Sequence, residues 1–282
     1  MESKTEIDLA KCSRCGKCID VCGSKIIGME EAGPRVMHAE SCIECGKCVA
    51  VCPADAIHMK DIDNAGFHEL EAHGITLEQF YNLACQRRSV RHYQPDAVRR
   101  EDVERMMRVV QQAPTGGNFQ ELEYTVISDP VVLDGIRALL LDKFLFLGKL
   151  TPLLRLVQSK ENVQKAKFTA KNIARIHAEG GDHLLRNAPT MVIIHSGEKR
   201  PLCDTDAAIA GTYLNLAAEL IGVGVQWLGY YMVLARVFKQ LRKRAGIPPD
   251  HRVLAALLMG YKQFDYPRAC ARKPLKIHYI SG

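Results

Sequence analysis

The chain has 282 residues, of which 47% are hydrophobic and 25% are charged, values that are ordinary for a globular protein. No apolar run reaches the ~18–20 residues that a membrane-spanning helix needs, and the first ten residues lack the layout of a secretion signal. We therefore expect a cytoplasmic protein without a membrane partner. The net charge of +6 is uneven, because residues 1–60 carry eight Lys/Arg and nine Asp/Glu and leave the basic character to the remainder.

The first sixty residues contain a duplicated cysteine pattern. Eight of the eleven cysteines fall in two runs of C-x2-C-x2-C-x3-C that begin thirty residues apart. The runs are Cys12, Cys15, Cys18, Cys22 and Cys42, Cys45, Cys48, Cys52. Bacterial-type ferredoxins bind two [4Fe–4S] clusters with this pattern. Residues 1–60 thus resemble a 2[4Fe–4S] ferredoxin domain, in which the clusters help to hold a short repeat together.

The spacing also predicts which cysteines share a cluster, because the fourth cysteine of each run ligates the other cluster. The expected sets are Cys12, Cys15 and Cys18 with Cys52, and Cys42, Cys45 and Cys48 with Cys22. Zinc is the alternative, since C-x2-C pairs also bind zinc, but zinc gives no reason for the third cysteine of each run. Gly23 stands where many such ferredoxins have proline, so the first run departs slightly from the pattern.

A polar stretch separates this domain from a larger one. Residues 61–75 contain two glycines and show no clear period, which predicts a linker before a domain over residues 76–282. The larger domain mixes helix and strand signals without regular alternation, which favours the α+β class. Helices are predicted at 77–84, 98–110, from 130 onwards, within 139–186 and at 206–221, and strands at 124–127, 190–195 and 253–260.

The first predicted helix of the larger domain is followed by Arg87-Arg88-Ser89-Val90-Arg91. Three guanidinium groups and a hydroxyl within five residues form a strong anion site, because arginine binds phosphate in bidentate fashion. Taken alone, the run also suits a solvated basic helix end. Nucleic-acid binding is not favoured, since the other Lys/Arg are scattered and no nucleic-acid motif accompanies them.

Four segments in order resemble the nitroreductase family of FMN enzymes, over residues 76–282. They are Arg87–Arg91, Ala113–Gln120, Ala188-Pro189 before a strand, and Arg272-Lys273-Pro274-Leu275, and the stretch Ala207–Gly229 agrees with the resemblance as well. The resemblance implies an α+β domain with a mixed sheet and surrounding helices. It also implies a homodimer with FMN at the subunit interface, in which a C-terminal extension wraps over the partner.

The resemblance further implies which residues contact FMN. Arg87, Arg88, Ser89 and Arg91 would bind the phosphate, the ribityl chain and the pyrimidine edge, and Arg272 would complete the phosphate site. No catalytic side chain is named, because flavin-positioning groups usually suffice in this family.

Three further positions are implied near the flavin ring. Thr115 and Asn118 fall where the family has a Ser/Thr and an Asn near the flavin, contributed partly from the other subunit. Gly229 falls where a backbone N–H faces the flavin N5 region. Glu121 departs from the family, which often has proline after the glutamine of this loop.

The two halves together resemble a ferredoxin–nitroreductase fusion. This implies an oxidoreductase that passes electrons from two [4Fe–4S] clusters to FMN and on to an electron-poor organic substrate, such as a nitroaromatic or a quinone. An external ferredoxin or NAD(P)H would be the donor. The alternative is a redox carrier or sensor module that delivers electrons to a protein partner. Iodotyrosine dehalogenation is disfavoured, because it needs a lid tyrosine and no Tyr occurs between Tyr124 and Tyr213.

The cysteines outside the two runs are Cys85, Cys203 and Cys270. They lack ligand spacing, and free cysteine is among the most buried residue types. We therefore expect all three to be buried free thiols.

Overall fold

In the computed structural model, which describes residues 3–154 and 160–280, the chain divides into two units. The first unit comprises Met1–Gly74 and the loop Thr115–Gln120, and the second comprises Ile75–Pro114 and Glu121–Gly282. The division after Gly74 falls at the end of the predicted linker. No signal in the sequence indicated that the loop would group with the first unit.

The first unit contains two antiparallel strand pairs and two one-turn α-helices, with short 3-10 helices at Ala39–Ser41 and Asn64–Gly66. In chain order its elements are β1 (Thr5–Ile7), α1 (Lys17–Asp20), β2 (Ile27–Glu30), β3 (Gly33–Val36), α2 (Lys47–Ala50) and β4 (Ile57–Met59). β1 pairs with β4 and β2 with β3, so the first and last strands of the unit lie side by side. The buried core is small, and it consists of Cys18, Ile26, Ile27, Val49, Ile57 and Met59.

The backbone of the first unit repeats at the same spacing as its cysteines. The repeated left-handed residues are Arg14 and Glu44 at φ 55°, Gly16 and Gly46 at φ 76° and 68°, and Lys25 and Asp55 at φ 52° and 47°. Positive φ is uncommon for residues with a Cβ, and here it recurs at equivalent positions of both halves. The sequence duplication is therefore also a duplication of loop conformation.

The beginning of the predicted linker packs against the first unit. The Asn64 side chain accepts a hydrogen bond from the backbone N–H of Met59 at 3.0 Å and donates to the Met59 carbonyl at 2.8 Å. Ile62 and Phe67 contact the small core. These contacts extend the ordered part of the unit beyond residue 60.

The second unit has the α+β architecture that the sequence predicts. In chain order its elements are α3 (Leu77–Gln86), α4 (Arg100–Val110), β5 (Glu123–Ile127), α5 (Pro130–Leu154), α6 (Lys160–Ala178), β6 (Thr190–Ser196), α7 (Cys203–Leu220), β7 (Val223–Trp227), α8 (Gly229–Val237), α9 (Lys239–Arg244) and β8 (Arg252–Tyr261). The strands form one sheet in the order β5-β6-β8-β7, with antiparallel neighbours. An isolated bridge between Ser89 and Val225 adds a parallel neighbour.

The helix boundaries have clear local causes. Thr76 and Gln79 form a capping box at the start of α3, in which each side chain accepts a hydrogen bond from the other residue's backbone N–H. Asp129 accepts from two N–H groups in the first turn of α5. The block 139–186 contains the rest of α5 and all of α6, as predicted, although residues 155–159 lie outside the described residues.

Helices cover both faces of the sheet. In β6, Ile193 belongs to a buried cluster that includes side chains of α5, α8 and α9, whereas Ile194 belongs to a second cluster with side chains of α4 and α7. This alternation follows from the two-residue period of a strand. None of the helices in the described residues is long and apolar enough to span a membrane.

A buried carboxylate ties α4 to the end of the sheet. Asp102 is 3% exposed, and its side chain accepts hydrogen bonds from the Tyr261 hydroxyl at 2.7 Å and from the Arg99 guanidinium at 2.8 Å. These donors hold the pKa of the Asp102 carboxyl below its usual value, with Tyr261 as the largest cause. The helix and the last strand are thereby held together.

Candidate cofactor sites

One cavity in the first unit gathers cysteines from both runs. Cys22, Cys42, Cys45 and Cys48 line a space of about 530 Å³, open solvent included, with Met59 on the apolar side. This grouping joins the fourth cysteine of one run to the first three of the other. A four-sulfur donor set of this kind fits an iron–sulfur cluster. The ligand role of each cysteine stays a prediction.

The remaining cysteines cluster in the same core. Cys12 and Cys15 lie close enough to act electrostatically on the buried Cys18 thiol, and burial raises the pKa of that thiol. Cys52 packs against the core to which Cys18 belongs. All four residues of the predicted set Cys12, Cys15, Cys18 and Cys52 therefore lie in this unit, and their shared cluster stays a prediction.

The fourth cysteine of each run accepts the same backbone hydrogen bond. The N–H of Ile26 donates to Cys22 Sγ at 3.4 Å, and the N–H of Ala56 donates to Cys52 Sγ at 3.4 Å. Hydrogen bonds to cluster sulfur atoms are among the factors that set cluster reduction potentials. The repeat thus gives both positions an equivalent electrostatic environment.

The thiols differ in how readily they ionise. Burial raises the pKa of the Cys48 thiol to about 11, whereas a hydrogen bond from the backbone N–H of Lys17 lowers the pKa of Cys15. Only the thiolate is a metal ligand. Ligation by Cys48 must therefore displace a proton, so cluster assembly becomes less favourable as the pH falls.

The second unit contains a strongly basic concave surface. It encloses about 1300 Å³, open solvent included, beside the segment Tyr266–Cys270. Five of the predicted flavin-binding residues line it, namely Arg87, Arg88, Ser89, Arg91 and Arg272. Residues from opposite ends of the unit thus meet at one surface whose guanidinium groups fit an anionic group such as a phosphate.

Arg88 lies at the centre of the contacts on this surface. Its guanidinium donates to the Arg268 carbonyl and lies 5.5 Å from the centroid of the Tyr266 ring. Its Nε is buried and has no hydrogen-bond partner among the described residues. An unpaired buried donor is costly, so a bound acceptor would satisfy it. The sequence signal for the C-terminal contribution was the segment Arg272-Lys273-Pro274-Leu275, whereas no sequence signal indicated the contact of Tyr266 with Arg88.

The edge of the sheet positions the arginine run. The N–H of Val90 donates to the Val225 carbonyl at 3.1 Å, and the N–H of Gln94 donates to the Tyr261 carbonyl at 2.9 Å. The Tyr93 hydroxyl donates to the Val90 carbonyl at 2.7 Å. The backbone that carries the guanidinium groups is therefore held by β7 and β8.

Thr115 and Asn118 lie in the loop that groups with the first unit. The Asn118 amide donates to the carbonyls of Ile43 at 3.2 Å and Glu44 at 3.0 Å, which flank the second cysteine run. The Thr115 hydroxyl accepts from the backbone N–H of Gln120 at 3.1 Å. In the structure both side chains are thus used within this unit, and their contact with flavin stays a prediction.

Gly229 and Glu121 have simpler surroundings. Gly229 is the first residue of α8, and a Cβ there would meet nothing within 4 Å. Its N–H is in the first turn, where intrahelical acceptors are lacking, so it is available to a ligand. Glu121, which replaces the proline of the family pattern, accepts from Arg200 Nη1 at 2.9 Å. Glu121 therefore forms an ion pair with Arg200 that a proline at this position could not form.

The expectation for the three remaining thiols is only partly right. Cys203 is buried as predicted, but Cys85 is half-buried and Cys270 is exposed beside the basic surface. The expectation was wrong for Cys270 because the described residues after Tyr261 form no helix or strand that would cover it.

Comparisons with known proteins agree with both halves of the chain. The sequence profile of the Nitroreductase family matches residues 84–261. That of the 4Fe-4S dicluster domain matches residues 4–53. The first match covers more than half of the chain, and the second covers both cysteine runs.

Individual relatives are distant. A protein from Archaeoglobus fulgidus, provisionally named NADH dehydrogenase/NAD(P)H nitroreductase, is 25% identical over 72% of this chain and 98% of its own length. An iodotyrosine deiodinase from Thermotoga neapolitana is 23% identical over 68% of this chain and 93% of its own length. The solved structure of a nitroreductase with bound FMN from Desulfitobacterium hafniense has a TM-score of 0.55 at 19% identity, over 71% of this chain and 97% of that one.

That structural similarity establishes the fold of the second unit, and the profile match establishes its family. The cysteine cavity and the 4Fe-4S profile match concern the same residues of the first unit. The chain therefore belongs to the nitroreductase family of oxidoreductases and carries, over residues 4–53, a 4Fe–4S ferredoxin domain.

Proposed function

We propose that this protein passes electrons from two [4Fe–4S] clusters to FMN and on to an electron-poor organic substrate of the nitroaromatic or quinone type. The observation that carries the proposal is the presence, in one chain, of a four-cysteine cavity and a basic surface that fits a flavin phosphate. Clusters transfer single electrons, whereas a bound flavin accepts two and supplies a hydride equivalent. When the clusters and the flavin are bound by one chain, electron transfer between them is intramolecular.

The chain's own residues bind and orient these groups. One cluster is assigned to Cys12, Cys15, Cys18 and Cys52, and the other to Cys22, Cys42, Cys45 and Cys48. The flavin is assigned to Arg87, Arg88, Ser89, Arg91, Thr115, Asn118, Gly229 and Arg272. FMN is the preferred flavin because the Desulfitobacterium hafniense structure contains it. The guanidinium groups hold the phosphate, and the buried Arg88 Nε gains an acceptor.

The functional form is proposed to be a homodimer. Apolar side chains follow Arg272 in the C-terminal segment, and Leu275, Tyr279 and Ile280 are 84%, 87% and 99% exposed. Contiguous exposed apolar side chains mark interaction sites, and a second subunit would cover these. Sedimentation of the holoprotein should give twice the chain mass, and a monomeric mass would rule the proposal out.

The electron route is tested by Cys42→Ala, which removes one ligand of the cluster that also uses Cys22. Anaerobically purified wild type should contain about eight irons per chain, and the variant about four, because each cluster holds four. FMN should remain bound in both. With reduced ferredoxin as donor, turnover of a quinone or nitroaromatic should fall at least about tenfold in the variant, since the route has lost one of its two carriers.

The control is Cys85→Ala, which removes a half-buried thiol that lines neither site. Photochemically reduced flavin should support substrate reduction equally in wild type and both variants. An unchanged ferredoxin-driven rate in Cys42→Ala would contradict the route. A wild type that reduces no small acceptor but reduces a partner protein would instead indicate an electron carrier, and parallel assays with NADH and NADPH identify the donor.

A further inference from the structure

Two histidines that are not part of either cofactor site meet at one end of the sheet. His195 lies near the end of β6 and is 2% exposed, and His251 immediately precedes β8 with a side chain that is 12% exposed. Their Nδ1 atoms are 2.9 Å apart. The pairing of β6 with β8 shifts by a residue between Ile194 and His195, which brings this end of the strand against His251.

The orientation of His195 is fixed by a third residue. Its Nε2 lies 2.9 Å from the hydroxyl oxygen of Thr125 on the neighbouring strand β5. When Nε2–H donates to Thr125, the lone pair of Nδ1 is free and points toward His251. Histidine ligands of metal ions commonly donate their other ring N–H to an oxygen in this way, which fixes the tautomer.

A carboxylate completes the cluster. Glu123 lies directly opposite His195 in the β5–β6 register, and one of its oxygens is 3.8 Å from His251 Nε2. One ligand atom from each of the three residues lies within 4.8 Å of the others. The Glu123 side chain is 61% exposed, so it can rotate toward the imidazoles and leaves an entry path from solvent.

The spacing suits a metal ion between the two rings. Two lone pairs at this distance repel unless a proton or a cation lies between them. Two nitrogen ligands at ~2.0–2.1 Å from a tetrahedral zinc ion are about 3.4 Å apart. The two Nδ1 atoms, 2.9 Å apart, would therefore move apart by about 0.5 Å to bind zinc.

We propose that Glu123, His195 and His251 bind one divalent transition-metal ion of the zinc class, separate from the iron–sulfur clusters and the flavin. Two imidazoles and one carboxylate form a common zinc donor set that leaves a position for water. The ion joins β5, β6 and the turn before β8, so its main effect is to stabilise this end of the sheet. The competing arrangement is a proton-linked histidine pair without metal.

The test uses anaerobically purified holoprotein with its iron content measured before and after. Equilibrium dialysis against buffered Zn²⁺, with metal analysis, should give one zinc per chain without loss of iron. Glu123→Gln and His251→Asn should each weaken zinc binding, the latter at least about 100-fold. Thr125→Val removes the hydroxyl that contacts His195 Nε2. It should lower zinc affinity about 10- to 100-fold, the range for outer-shell partners of metal ligands.

The matched control is His177→Asn, which removes an exposed histidine of α6 and should leave zinc affinity unchanged. Zinc should also raise the melting temperature of wild type but not of His251→Asn, because a ligand stabilises only the state that binds it. Glu123→Gln changes an exposed side chain and keeps the test valid if His251→Asn folds poorly. Zinc uptake that displaces iron, or equal uptake by wild type and His251→Asn, would overturn the proposal in favour of the proton-linked pair.

Discussion

Arg272 is the predicted flavin-binding residue that the C-terminal segment contributes to the basic surface. It is separated from the arginine run by more than 180 residues, yet both line the same concavity. A phosphate group has enough oxygen atoms to contact guanidinium groups from both segments, so each should strengthen the other's site.

We predict that Arg272→Ala yields protein with intact clusters and depleted flavin. Removal of a charged hydrogen-bond partner typically costs ~1.5–3 kcal/mol, which is roughly 10- to 150-fold in affinity. Fluorescence titration of FMN into the deflavinated variant measures the loss. Lys273→Ala is the matched control, because Lys273 is adjacent and basic but does not line the concavity. Equal FMN affinity in Arg272→Ala and wild type would remove Arg272 from the site.

Individual residues also show where sequence reasoning reaches its limit. The arginine run could be predicted because guanidinium density is visible in the sequence itself. The stacking of Arg88 on Tyr266 could not, because no periodicity relates two segments this far apart. Likewise, no signal in the motif around Asn118 indicated that its amide would donate to the carbonyls of Ile43 and Glu44, and its contact with flavin stays a prediction. The side-chain amide of an asparagine can donate to any carbonyl within reach. Which carbonyl lies within reach is decided by the tertiary structure.

At the scale of elements, the close approach of the arginine run to β7 depends on a glycine. A Cβ on Gly224 would lie 2.6 Å from Cβ and Cγ1 of Val90. Gly260, which pairs with Gly224 across β7 and β8, would similarly place a Cβ 2.9 Å from Tyr93. The two glycines leave the space that the segment from Ser89 to Tyr93 occupies.

We predict that Gly224→Ala destabilises the second unit and weakens FMN binding together. Overpacking of a buried contact costs roughly 1–3 kcal/mol, and here the displaced residue, Val90, lies between the cations of the basic surface. Unfolding in urea can be followed by the fluorescence of Trp227, the only tryptophan of the chain, which lies in the second unit.

A compensating substitution provides the control. Val90→Gly removes the Cβ and the two γ carbons that a Cβ at position 224 would strike, so the double variant should lose less stability than the sum of the two single variants. Additive losses would show that the contact between these two positions does not explain the effect of Gly224→Ala.

Elements with a long apolar run or composition could be predicted, and short elements interrupted by glycine could not. β6 is a β-branched run buried along its length, and α7 is a long Ala/Leu-rich segment that ends before Gly222. β7 was missed because its sequence, VGVQW, contains glycine and directly follows a helix-ending glycine. β8 lies inside the sheet although it is the last of the described strands in sequence. This position is set by the packing of helices on both faces of the sheet, which leaves no local signal in the sequence.

At the scale of the whole molecule, the two units differ in the size of their buried cores. The described part of the first unit has one cluster of six buried residues, which includes Cys18, whereas the second unit has two extensive clusters on the two faces of its sheet. A core as small as the former is rarely sufficient without metals or disulfides. We infer that the bound clusters provide much of the stability of the first unit and little of that of the second.

Selective removal of iron tests this inference. Anaerobic treatment with 2,2′-bipyridine, which chelates iron, should raise hydrogen–deuterium exchange throughout residues 3–74, because local opening becomes easy where few buried contacts remain. The loop Thr115–Gln120 should lose protection with them, since it groups with this unit. Amides of β6 and β8 should exchange as before. Cluster reconstitution should restore protection, which controls for irreversible damage. Protection that persists in residues 3–74 without iron, or an equal loss in β6 and β8, would contradict the inference, because stability would then not depend on the cysteine ligands of one unit.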